Sequence, residues 1–321
     1  MANPIVRNFN RFFVCGIDGT VDHFKGIAKD LEANQRDYDT KFAKSFVRQL
    51  CNGGLPSLYL RGPAATGSGL GYAMGKAKDT IALRYNQDLS AYKKSKSELH
   101  DPTLRGYILT GYSRGAAGII EVATRLVDDI EYKKLGIRIY AMILFDTVNE
   151  TNTSVQGVIN RGEIKGVTVA GATVAAGVVG GPGTAVGVGG TIGSVMPNYS
   201  NPESIILGDL RIPTNVANCV HYIRSDESNS RSTTMAKYRG GPVNNTNTRY
   251  TPLYLKATHG GLGGLPYFQG TGEGNNIPIL EPGAAFPTNV TMAEDIKGSR
   301  DVAKHVNTFC GALHIPLAIT V

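Results

Sequence analysis

Apolar runs rich in β-branched and aromatic residues recur along this chain, at 11–18, 57–61, 106–110, 137–148, 219–224 and 252–257. Most are continuous rather than alternating, the pattern of strands buried on both faces. Between them, segments 24–50, 71–96, 116–135 and 299–313 return apolar side chains at helical spacing. Ile27, Leu31, Phe42, Phe46 and Leu50 mark the first; Ile119, Ile120, Ala123 and Val127 the third; Val302, Val306 and Phe309 the last. Strands alternating with helices predict an α/β fold, a mostly parallel sheet covered by helices on both faces. Such sheets carry their sites at the carboxyl ends of the strands.

Composition narrows the class. With 41% apolar and 18% charged residues the chain is not a disordered tail. Four Cys in 321 residues exclude a disulfide miniprotein, and 40 Gly without a three-residue period exclude collagen. The length suits one domain, 1–321, carrying an insertion at 150–215. The net charge of +7 is spread along the chain and favours anionic surfaces, lipid headgroups among them. Lys93-Lys94-Ser95-Lys96 reads as a solvated helix end, and no nucleic-acid motif is present, so no nucleic-acid partner is expected. The N-terminal residues lack the long apolar core of a signal peptide. Cys15, Cys51, Cys219 and Cys310 show no metal spacing and read as free thiols, mostly buried. Synthesis in a reducing cytoplasm is expected, with any export by a route other than the general secretory one, and neither metal nor cofactor is expected.

Residues 166–195 break the pattern: ten Gly, eight Val and five Ala with no charge, interrupted by Gly180-Gly181-Pro182-Gly183. A hairpin packed on the domain, a lid or membrane-docking element, and a spanning hairpin are the three readings, the last disfavoured by the central Pro and the dilution by Gly and Thr.

Chemistry concentrates at Gly111-Tyr112-Ser113-Arg114-Gly115. A short strand pattern, Tyr107 to Thr110, precedes it, and an amphipathic helix follows from Ala116. Strand, tight turn and helix is the setting of a nucleophile elbow, where glycines two before and two after the serine avoid backbone collisions. A serine hydroxyl needs a base, and the base an orienting acid, in the chain order Ser, acid, His. His23 and His100 precede Ser113; His221 lies within a strand pattern and reads as structural; His305 and His314 lie on or just after the last helix. His259 closes a strand pattern and opens Gly260-Gly261-Leu262-Gly263-Gly264, read as a flexible loop at a strand's carboxyl end. Asp146 ends the apolar run Tyr140 to Phe145 and is the best acid; Asp226, beside Glu227, is the alternative. The backbone N–H of Arg114 is one expected oxyanion donor, with a second from Asp18 or Gly19 at the end of the first strand.

These residues also carry a resemblance. Gly16-Ile17-Asp18-Gly19-Thr20, Thr110 to Ala116, Leu144-Phe145-Asp146-Thr147-Val148 and His259-Gly-Gly-Leu-Gly-Gly follow one another as the motifs F-F-D-G-T, G-F-S-R-G-A, W-D-T-V and H-x-D-V-G-G do in one α/β-hydrolase family. That family includes type VI secretion phospholipase effectors. The chain departs from it at Gly261, where the family has Asp, and at Ile17, where it has an aromatic. The resemblance implies Ser113 as nucleophile, Asp146 as acid and His259 as base. It implies hydrolysis of phospholipid or a related acyl ester at a membrane surface, and type VI-like delivery into a rival bacterium, with a secretion-spike partner and an immunity protein. Two other readings compete: a membrane-inserting toxin acting through 166–195 without catalysis, and a non-catalytic binding module on a hydrolase fold.

Overall fold

The computed structural model describes residues 11–20, 40–63, 69–148, 210–230, 241–243, 247–267, 276–281 and 286–321. Of the expected insertion 150–215, residues 150–209 lie outside them, the Gly-rich 166–195 included, as does His23. Six strands form one sheet: β1 (Phe12–Ile17), β2 (Ser57–Leu60), β3 (Gly106–Tyr112), β4 (Ile139–Phe145), β5 (Val216–Arg224) and β6 (Arg249–Leu255). Their order across the sheet is β2-β1-β3-β4-β5-β6, and each neighbouring pair is parallel. The six helices among the described residues are α1 (Phe46–Cys51), α2 (Leu70–Ser95), α3 (Arg114–Asp128), α4 (Ile130–Lys133), α5 (His259–Leu262) and α6 (Met292–Ala312). This is an α/β fold, a parallel sheet with helices on both faces, as expected.

Alternate side chains of each strand point to opposite faces, and the core divides accordingly. On one face Phe13, Cys15, Ile17, Leu109, Met142 and Leu144 pack against Met74 and Ile81 of α2 and Ile119 and Ile120 of α3. On the other, Phe12, Val14, Ile108, Ile143 and Phe145 meet Phe46 and Leu50 of α1 and Val302 and Val306 of α6. The inner strands are buried on both faces, whereas β2 and β6 stand at the sheet's edges and keep exposed residues. All four cysteines are buried and unpaired.

Three helix boundaries differ from the periodicity. Of the expected 24–50 helix, residues 24–39 lie outside the described residues; 40–41 are helical, the chain turns at 42–45, and α1 starts at Phe46 because Ser45 caps it by accepting the Arg48 amide. The expected helix 116–135 divides at Asp129, whose backbone is extended. α6 begins seven residues before Ser299, at Met292, behind a Thr291–Glu294 capping box, because the cap rather than the apolar stripe marks the start. No helix of the described residues is long and apolar enough to cross a membrane.

Candidate active site

The hydrogen-bonded chain of β3 runs to Tyr112 and α3 begins at Arg114, so Ser113 must turn the backbone alone. It does so at φ 57° and ψ −129°, left-handed territory that costs a non-glycine residue about 1–3 kcal/mol. Two amide bonds hold the turn: Ser113 N–H donates to Phe145 O at 2.9 Å, and Val148 N–H donates to Ser113 O at 3.2 Å. A Cβ on Gly111 would meet the Ala116 backbone at 2.5 Å. One on Gly115 would run into the carbonyl oxygens of Ile17 and Asp18 at the end of β1. The flanking glycines thus let strand, turn and helix approach one another, as the motif predicts.

Serine at a helix N-cap ordinarily accepts an amide of the first turn. The Ser113 side chain makes no such bond, and its Oγ lies 2.9 Å from His259 Nε2. His259 Nδ1 lies 2.6 Å from Asp146 Oδ2. All three groups are buried. Asp146 follows β4 and also has a positive φ, 40°. The structure thus brings Ser113, His259 and Asp146 together at the carboxyl edge of the sheet. Asp226, the alternative acid, is exposed in a short turn after β5, and the carboxylate on His259 belongs to Asp146. His221 is buried within β5, with Nδ1 3.1 Å from the Tyr250 hydroxyl, and burial pushes it down to about 4. His305 lies on α6 and His314 just beyond it.

His259 does not open a flexible loop. It is the first residue of α5, where Thr258 caps the turn by accepting the Gly261 amide. The Tyr112 hydroxyl donates to the His259 carbonyl at 3.0 Å, and the two rings lie 4.9 Å apart. Burial favours the neutral imidazole and outweighs the hydrogen bond and charge of Asp146, so the His259 pKa is lowered. Burial also opposes the Asp146 charge. There the Arg224 guanidinium and the His259 hydrogen bond prevail, and the carboxyl is held below its ordinary range.

Arg114 heads α3, so its amide has no acceptor within the helix. The two residues expected to supply a second oxyanion donor do not fit that role. The Asp18 amide donates to Leu60 O at 3.0 Å, and the Gly19 amide donates to Asp18 Oδ1 at 2.8 Å. The Asp18 carboxylate is a hub: Ser45 Oγ and the Tyr59 hydroxyl both donate to Oδ2. Thr20, the next residue, accepts a 2.8 Å bond on Oγ1 from Arg114 Nε, tying the β1 loop to the head of α3.

Four residues not singled out in the sequence belong to this neighbourhood: Tyr112, Arg224, Ser230 and Asp295. Arg224 Nε stands 2.9 Å from Asp146 Oδ2. A charged residue closing an otherwise apolar strand was the one sequence signal available for it. Ser230 and Asp295 carry none, because a polar residue in a turn or on a helix face is ordinary. Among the described residues, no three His, Cys, Asp or Glu side chains form a group able to hold a metal ion.

No protein-family model matches the chain, and no curated protein sequence matches it. Among solved structures it is similar to an uncharacterized protein from Pseudomonas aeruginosa, at 14% identity and a TM-score of 0.39, over 97% of this chain and 46% of that one. It is similar to the Tle1 effector bound to the VgrG spike from the type 6 secretion system, at 14% identity and 0.32, over 78% and 50%. Esterase B from Lactobacillus rhamnosis matches at 13% identity and 0.37, over 96% and 79%. The chain spans about half the length of the first two.

Proposed function

We propose that this protein is a serine esterase in which Ser113 is the nucleophile, His259 the general base and Asp146 the orienting acid. The observation that carries this reading is the continuous contact from Ser113 Oγ through the His259 ring to Asp146 Oδ2, at 2.9 and 2.6 Å. The lowered His259 pKa keeps the ring neutral and ready to accept a proton at neutral pH. Ser113 Oγ attacks the acyl carbonyl as its proton passes to Nε2. The Arg114 amide faces the developing oxyanion. The leaving alcohol takes the proton from His259, leaving an acyl-serine, and water activated by the same imidazole releases the acid.

The finer reading follows the motif resemblance. The substrate class is the acyl ester of a phospholipid, cut in the manner of a phospholipase A1 or A2. The +7 charge favours an anionic membrane surface. The enzyme leaves by a type VI-like route on a secretion spike, and is restrained in the producer by an immunity protein.

A fluorophosphonate probe should label the purified protein at Ser113, and Ser113→Ala should abolish both labelling and short-chain ester turnover while circular dichroism stays native. Labelling or turnover that persists in the alanine variant would overturn the assignment. Mass spectrometry of lipids after incubation with the native protein identifies the bond cut. Vesicle leakage by Ser113→Ala would favour a non-catalytic membrane toxin instead.

A further inference from the structure

The structure assigns Arg224 a positioning role in this chemistry: from the carboxyl end of β5 it grips both the acid and the backbone that carries the base, and its charge sets how tightly His259 holds a proton. The inference rests on reading Ser113, His259 and Asp146 as the reacting groups. Arg224 is among the largest fully buried side chains of the described residues. Its Nε lies 2.9 Å from Asp146 Oδ2, the same oxygen that His259 Nδ1 approaches at 2.6 Å. Its own amide donates to Asp146 Oδ1 at 3.3 Å. The same guanidinium turns the other way as well. One terminal nitrogen donates to the Ser230 carbonyl at 3.0 Å. Ser230 Oγ in turn accepts the His259 amide at 2.8 Å and donates to the buried Glu281 carboxylate at 3.0 Å. The guanidinium thus meets Asp146 as an ion pair through Nε and ties the Ser230 backbone by a hydrogen bond from a terminal nitrogen, two contacts that a single ammonium cannot place in the same way.

The electrostatic consequence has a definite sign. The charged and titratable groups around His259 are Asp146 after β4, Arg224 at the end of β5, Glu281 in the 276–281 segment, Tyr112 on β3, and Asp295 on α6 behind the Thr258 cap. Asp146 and Glu281 favour the imidazolium; Arg224 opposes it. Burial is the largest force keeping His259 neutral; Arg224 adds to it by opposing the two carboxylates, and so extends the range in which the base is available to lower pH.

Pseudo-first-order labelling by the fluorophosphonate, followed from pH 4.5 to 9, tests this directly. Arg224→Met removes the charge at similar length, and the acid limb of its labelling rate should move up by about one pH unit, about a tenfold loss on that limb. Arg224→Lys keeps the charge but loses the fork. Its acid limb should stay at the native pH, while its maximal rate falls several-fold. A methionine variant with the native limb, or with a loss equal at every pH, would mean that Arg224 only holds the fold together. If that variant does not fold, the lysine variant decides: a moved limb or an undiminished maximum would sink the proposal. A native protein that never labels overturns the catalytic reading itself, which is a separate outcome.

Discussion

Asp18 shows how one buried carboxyl can carry a pH dependence that has nothing to do with catalysis. Burial pushes it up to about 6, against the pull of hydrogen bonds from Ser45, Gly19 and Tyr59 and of the Arg48 charge. A carboxyl raised in this way binds its proton more tightly folded than unfolded. Its contribution to stability is therefore complete below the unfolded value of 3.8 and is lost as pH rises through about 6. The interval corresponds to on the order of 3 kcal/mol. Asn has the same shape without the proton, and Ser45 and Tyr59 can turn their hydroxyls to accept from it. Relative to the native protein, Asp18→Asn should gain stability between about pH 4 and pH 7 in urea melts. A gap between the two proteins that stays constant over that interval would rule out the explanation. The sequence marked Asp18 as part of a functional loop but for its amide. Which of its groups is spent internally became visible only once Leu60, Ser45 and Tyr59 had gathered around it.

At the scale of elements, the head of α6 is what fixes the turn bearing His259. The Asp295 carboxylate accepts the Thr258 amide at 2.7 Å, the Thr258 hydroxyl at 2.9 Å and the Tyr267 amide at 2.9 Å, so it clamps both ends of the 258–267 segment. It also accounts for the departure at Gly261, since a Cβ there would collide with the Asp295 carboxylate. Asp295→Ala should cost at least about 2 kcal/mol, because charge-assisted bonds to buried amides are lost together, and should slow fluorophosphonate labelling of Ser113. Thr291→Ala, at the N-cap of the same helix, removes the capping box and should cost about 1 kcal/mol with labelling unchanged. Equal labelling rates in the two variants would show that Asp295 does not position His259. The capping box Thr291-Met-Ala-Glu294 was readable in the sequence. The apolar stripe starting at Val302 pointed to a later helix start, because a helix's first turn need not face the core.

For the whole molecule, the parallel sheet brings the ends of β3, β4 and β6 to one edge, and the chain as a whole carries a net charge of +7. Co-sedimentation of Ser113→Ala with vesicles should therefore be stronger on anionic than on neutral lipid, and should fall steeply as salt shortens the Debye length from about 10 Å at 0.1 M to about 3 Å at 1 M. Binding that ignores both lipid charge and salt would show that net charge plays no part. The sequence by itself determined the alternation of strands and helices and the elbow at Ser113, because periodicity and the steric demands of a tight turn act over a few neighbouring residues. Tertiary structure alone decided that Asp146 and not Asp226 faces His259, that Arg224 shares its carboxylate, and that the amides of Asp18 and Gly19 are already spent. Ser113 and His259 are 146 positions apart, and Asp146 and His259 are 113. Contacts of that span exist only once the sheet has assembled, and no local pattern encodes which buried charge will meet which.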